Sequence, residues 1–188
     1  MRRCKNEHER QVFRRFVKAA GLSVGPRTVR SLKPPRPDIC CGLGGVPYYF
    51  ELTRMLHGGT AARIGRHLSQ LSRTGSAPPL GMDSYDDRAA LRDAVKRKGR
   101  RKYQTSGRPV ALLIYIDGVF HRPGMPSHWA QPILEEEGPK QQWAGIWLYD
   151  DFRGRVVAKW LRELQGLCLT RASTGPPQKA RRRVMPGR

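Results

Sequence analysis

A chain of 188 residues with 36 lysines and arginines against 15 acids carries a formal charge of +21, a surplus that draws polyanions and makes nucleic acid the expected partner. No apolar run reaches the roughly 18 residues a transmembrane helix needs, so no membrane partner is expected, and the opening "MRRCKNEHER" lacks the apolar centre of a secretory signal. The four cysteines, Cys4, Cys40, Cys41 and Cys168, form no CxxC pair, which argues against a zinc site and fits small thiols in a reducing cytoplasm.

"NEHERQVFRRFVKAAGL" predicts a helix, because Val12, Phe13, Phe16, Val17 and Ala20 fall at helical spacing and Gly21 supplies a stop. The proline-rich, basic "SVGPRTVRSLKPPRPD" reads as loop or extended chain. "DICCGL" and "VPYYFELT" read as two short strands, with the glycines between them as the turn of a hairpin. Beyond them Ile64, Leu68 and Leu71 line one face of a short helix, followed by a loop rich in Gly, Ser and Pro. "YDDRAALRDAVKRKGRRKY" reads as a helix whose acidic first turn and basic last turn complement its dipole. "RPVALLIYID" is short, apolar and rich in β-branched residues, the pattern of a central strand buried on both faces. A long connection with a short helix near Ile133 leads to the strand "WAGIWLYDD", whose Trp143 and Trp147 read as core or sheet-face residues rather than base-stacking ones. "GRVVAKWLREL" is a last strand or helix. Residues 1–169 form the expected domain, and the basic stretch 170–188, with little to bury, is expected to be disordered. The order helix, hairpin, helix, strand, strand gives an α/β class, a mixed central sheet flanked by helices.

Side chains alternate along a strand, so in "YYFELTR" Phe50 and Leu52 share one face while Tyr49, Glu51 and Thr53 share the other. A carboxylate in such a run needs water, a cation or a metal to offset its burial. Asp38 stands where the preceding strand begins, so pairing through the turn brings Asp38 and Glu51 to one end of the sheet. Two carboxylates held close repel unless a cation lies between them, and such oxygen ligands suit magnesium.

Pro37-Asp38 followed by Glu51-x-Thr53 resembles the PD-(D/E)XK nuclease superfamily, the restriction-endonuclease-like fold. There the motif runs Pro-Asp, one hairpin, then Asp/Glu-x-Lys on the next strand. The resemblance implies a metal-dependent endonuclease that hydrolyses phosphodiester bonds in DNA, with RNA open. It implies Mg2+ or Mn2+ held by Asp38, Glu51 and the backbone carbonyl of Leu52, with Glu9 of the first helix added to the metal site. Thr53 stands where the motif carries lysine, and in some branches of the superfamily that lysine migrates to a neighbouring element. Leu91, Val95, Lys98 and Lys102 follow at i, i+4, i+7 and i+11, so Lys98 is nominated as the migrated lysine, with Lys102 and Tyr103 as alternatives. Asp38, Glu51 and Lys98 are then the expected catalytic residues. Arg54, Arg63, Arg66, Arg97, Arg101 and Lys102 are candidates for holding phosphates.

Plainer readings stand beside these: a turn residue for Asp38, a salt bridge for Glu51, a dipole-favoured acid for Glu9, a snorkelling side chain for Lys98. The rival function is a non-catalytic nucleic-acid-binding or interaction protein on the same scaffold, and a third is a basic RNA-binding adaptor of unrelated fold. His57 and His67 read as loop or surface residues, the serines lack triad partners, and "GLGG" lacks the lysine of a phosphate loop. Assembly as a homodimer stays open.

Overall fold

The helical stripe of Val12, Phe13 and Phe16 and the alternation of Tyr48, Phe50 and Leu52 are two halves of one apolar interface, which closes on one face of a six-stranded sheet. The structure, a computed structural model, describes residues 2–25, 27–55, 58–76, 86–116 and 127–162, with the side chains of 2–4, 58–65 and 127 outside that description. In chain order the elements are α1 (Arg2–Ala19), β1 (Arg30–Ser31), β2 (Ile39–Leu43), β3 (Val46–Arg54) and α2 (Gly58–Thr74). They continue with α3 (Asp87–Gly99), β4 (Val110–Ile116), α4 (Ser127–Glu137), β5 (Gly145–Asp150) and β6 (Arg155–Leu161).

The strands lie side by side in chain order. β2 and β3 form the expected antiparallel hairpin, with Ile39 opposite Phe50 and Cys41 opposite Tyr48. Gly44 and Gly45 make its turn at φ of 57° and 82°, a left-handed pair that side chains resist. β4 runs parallel to both β3 and β5, and β6 returns antiparallel along β5 as an edge. Parallel neighbours need crossovers, and helices supply them. The result is the mixed sheet flanked by helices that the element order predicts.

Alternation sorts the side chains into two cores. On one face α1 covers Phe50, Leu52, Leu113, Trp147 and Tyr149, with Phe13 4.9 Å from Phe50 and Phe16 5.8 Å from Tyr149 between ring centroids. On the other, α3 and α4 bury Leu91, Val95, Ile133, Leu134 and Trp143 against Leu112, Ile114, Ile146 and Leu148. β4 carries both faces of the sheet's centre and is buried from Ala111 to Ile116. Arg15 pins α1 to the β5–β6 turn through two bonds to Asp151, at 2.8 and 2.7 Å.

Several expectations change. β1 lies inside the stretch read as loop or extended chain and makes part of it a strand, since two residues are too few to show any period. α2 runs 17 residues, yet Leu68 and Leu71 on its expected inner face are 57% and 44% exposed. α3 begins at the cap Asp86, whose carboxylate accepts from the Arg88 and Ala89 N–H groups, and stops at Gly99. Lys102 therefore stands beyond the helix, exposed, and the spacing that placed it with Lys98 does not reach it. The last segment settles as a strand, β6. Cys40 and Cys41 are free thiols, and burial pushes the Cys41 thiol up to about 12. No described helix is long and apolar enough to cross a membrane. His57, Cys168 and the stretch 170–188 lie outside the described residues.

Candidate active site

The hairpin register that sets Ile39 against Phe50 sets Asp38, one step further out, against Glu51. Two backbone bonds fix Asp38 there. Its Oδ2 accepts from the Leu52 N–H at 2.9 Å, and its carbonyl accepts from the Leu32 N–H at 2.9 Å. Glu51 points to the α3 side of the sheet, in register with Leu112 of β4, and only 3% of it is exposed.

The cation comes from α3. Its buried stripe is Ala90, Leu91, Ala94, Val95 and then Lys98, so one helical face carries apolar side chains and ends in an ammonium. Lys98 Nζ lies 2.5 Å from Glu51 Oε1 and 3.2 Å from the Leu52 carbonyl oxygen. Thr53, 7% exposed on the Glu51 face, brings no charge, and Lys98 brings one to the same place from another element. Arg101, just past α3 and mostly exposed, puts Nη1 3.9 Å from the same Glu51 oxygen.

The electrostatics follow from burial and crowding. Burial first, then the charge of Asp38, pushes the Glu51 carboxyl above the ordinary carboxylate range, and Lys98 pulls it back. Glu9, 6% exposed on α1, is raised by the same two causes in the same order, with a smaller push from Glu51. Lys5 offsets part of this from 3.4 Å. Glu9, Asp38 and Glu51 thus feel one another although they come from three elements or their edges. Tyr103 sits against Glu51; burial and that charge raise its hydroxyl, which closes no hydrogen bond of ordinary geometry.

The donor set suits a hard divalent cation. Asp38 keeps one oxygen free of the Leu52 N–H, Glu51 offers a carboxylate, and Leu52 offers a carbonyl on the same side as the Lys98 amine. The Lys98 ammonium stands between the last two donors, so an ion there takes over its contacts. Among the described residues, no three Asp, Glu, His or Cys side chains gather closely enough to hold a metal by themselves, so the carbonyl of Leu52 is needed to complete a set.

The candidate phosphate contacts are scattered. Arg66 is exposed on α2, and Arg97 pairs with Asp93 at 3.8 Å on the outer face of α3. Arg54 is half-buried at the end of β3 and already engaged within the protein. Arg101 and Lys102 are exposed beside the site, and the Arg63 side chain lies outside the described residues. Sequence reasoning missed Arg36, Tyr49 and Arg108, which line a cleft with Tyr103, the neighbour of Glu51. Only Tyr49 left a signal, through its shared strand face with Glu51.

No family profile matches the chain, and no curated protein matches it. Among solved structures, a crystal structure of an XisH family protein from Nostoc punctiforme is similar over 78% of this chain and 93% of that one. The two are 13% identical with a TM-score of 0.28, too low for the likeness to bear on function.

Proposed function

We propose that the protein is a metal-dependent nuclease of the restriction-endonuclease-like fold that hydrolyses phosphodiester bonds in DNA, with RNA open as a substrate. The observation that carries this reading is the meeting of Asp38, Glu51, the Leu52 carbonyl and the Lys98 ammonium at one end of the β2–β3 hairpin. Mg2+ or Mn2+ held by Asp38, Glu51 and Leu52, with Glu9 adding negative charge behind them, would supply Lewis acidity. An ammonium has three N–H donors. Two of those of Lys98 face Glu51 and Leu52, and an ion that took over these contacts would release the ammonium to orient the attacking water or to offset charge on a phosphate oxygen. Arg101, exposed and close, adds a second positive group for the same purpose.

The test is nicking of supercoiled plasmid and of single-stranded DNA with Mg2+ or Mn2+. Wild type nicks, and Glu51→Gln nicks more slowly by about 100-fold or more, the scale on which loss of one preorganised charge-stabilising group is read. Undiminished nicking by Glu51→Gln removes the assigned site.

A second reading, nucleic-acid binding without cleavage on the same scaffold, is favoured by one observation. The Lys98 ammonium pairs with Glu51 directly, in the place a metal would take. Tight binding of DNA by a wild-type protein that never nicks it under either ion selects this second reading.

A further inference from the structure

The loop from α3 to β4 builds a second wall beside Glu51. Ser106 has φ of 52° and Gly107 of 75°, so two consecutive residues turn left-handed. For serine this conformation costs stability, and such outliers cluster at binding sites. The turn is closed by the Arg108 N–H donating to the Thr105 carbonyl at 3.1 Å. It is tied down by the Gln104 N–H, which donates to the Pro35 carbonyl at 3.2 Å, three residues before Asp38. Between this loop and the start of the hairpin lies a cleft of about 580 Å³, lined by Arg36, Tyr49, Tyr103, Thr105, Ser106 and Arg108 among others.

Four features of the cleft point to one ligand. Arg36 and Arg108 are exposed, and among the described residues neither pairs with a carboxylate. Tyr49 is half-buried on the strand face that carries Glu51. The Tyr103 hydroxyl is buried beside the Glu51 carboxylate and closes no hydrogen bond of ordinary geometry with it, so it can turn to another acceptor. Tyr103 also sits against Glu51, so the cleft and the candidate active site share this side chain as a wall. Uncompensated guanidinium groups beside an aromatic ring fit a phosphate joined to a base. The volume falls in the ordinary range for a small-molecule pocket, roughly 300–1,000 Å³, far too small for a duplex.

We propose that this cleft seats one unpaired nucleotide of a single-stranded nucleic acid. Arg36 and Arg108 hold its phosphate, Tyr49 stacks on its base, and Tyr103 donates to a phosphate or sugar oxygen. Bases within a duplex are covered on both faces by their neighbours, so only an unpaired base can enter. The position of this nucleotide, next to the bond cut at Glu51, rests on the nuclease reading above; the binding itself does not.

The experiment is fluorescence anisotropy of the full chain in EDTA, where no cleavage occurs. The probes are a labelled single-stranded oligonucleotide, its duplex, and a single strand with abasic positions. Wild type binds the single strand about ten-fold more tightly than the duplex. Replacing both Arg36 and Arg108 with Ala weakens single-strand binding about ten-fold or more and lowers the slope of log affinity against log salt by about 0.7, the share of one phosphate. Tyr49→Leu, which keeps apolar bulk without the ring, weakens binding of the base-bearing strand about ten-fold and leaves the abasic strand unchanged. Arg66→Ala, on the outer helix, weakens single strand and duplex alike. The proposal is overturned if wild type binds both forms equally, if the double arginine change does no more than Arg66→Ala, or if Tyr49→Leu weakens the abasic strand as much as the base-bearing one. A chain that passes here and never nicks plasmid keeps the cleft and loses the nuclease.

Discussion

Lys98 fills, with its own charge, the space that a divalent ion shared by Glu51 and the Leu52 carbonyl would have to occupy under the proposed reading. A buried ion pair gains its Coulomb energy at the cost of stripping water from both partners, and removing one partner leaves the other stranded. Lys98→Met keeps much of the side chain's apolar length and removes the ammonium. In EDTA the variant loses about 3–5 kcal/mol of stability, because Glu51 is left beside Asp38 with no close buried cation. Adding Mn2+ then raises its unfolding temperature more than it raises that of wild type, since the ion no longer competes with the amine. The comparison is made by thermal melts of wild type, Lys98→Met and Glu51→Gln across a manganese titration. An equal manganese shift in wild type and Lys98→Met ends the idea that amine and ion share one place. A manganese shift that survives in Glu51→Gln puts the ion elsewhere.

At the scale of elements, α1 and the β2–β3 hairpin decide how the acids meet. The register of α1 that buries Val12, Phe13 and Phe16 also buries Glu9, one turn before Phe13, where the charge of Asp38 reaches it. Burial and Asp38 raise the Glu9 carboxyl above its unfolded value, so the folded state holds its proton more tightly than the unfolded chain does. The resulting stability is complete below the unfolded value of 4.5 and is lost as pH rises through the raised folded value. Glu9→Gln has no proton to lose. In EDTA its unfolding temperature gains on wild type as pH goes from about 4.5 to 8. An unchanged difference across that range, by thermal melts in matched buffers, means that Glu9 is solvated as an ordinary surface acid. Much of this geometry was legible beforehand because strand period and helix period are local. "YYFELT" assigns Glu51 its face, a two-glycine turn sets the partner of Ile39, and the apolar stripe of α3 carries Lys98 inward. The cleft was not legible, because Arg36, Tyr49 and Arg108 have no period in common and meet only through the bond from Gln104 to Pro35. Nor was the exposure of Leu68 and Leu71: apolar spacing marks a helix face without saying what covers it.

Among the described residues many of the acids are spent on internal pairs. Glu7 bonds Arg10, Asp151 bonds Arg15, Glu136 lies 3.2 Å from Arg92, and Glu137 lies 3.4 Å from both Lys96 and Lys140. With 36 lysines and arginines against 15 acids, the +21 surplus is left to solvent and partners. Such a surplus destabilises the compact state by self-repulsion and raises the rate and strength of encounter with any polyanion. A polyanion that binds it releases condensed counterions, so affinity falls linearly with salt on logarithmic axes, with a slope set by the number of phosphates neutralised. For a footprint of about 6–10 phosphates the expected loss is roughly 10³–10⁵ in affinity between about 50 and 200 mM salt. On the proposed reading the basic "KARRR" near the end of the chain would add to that footprint without reading sequence. Removing residues 170–188 should therefore flatten the salt slope for duplex and single strand alike, while the preference for single strand, which belongs to the cleft, stays. Filter binding or anisotropy over a salt series reads both quantities at once. A duplex affinity that barely changes between about 50 and 200 mM salt would show that the surplus charge serves solubility alone.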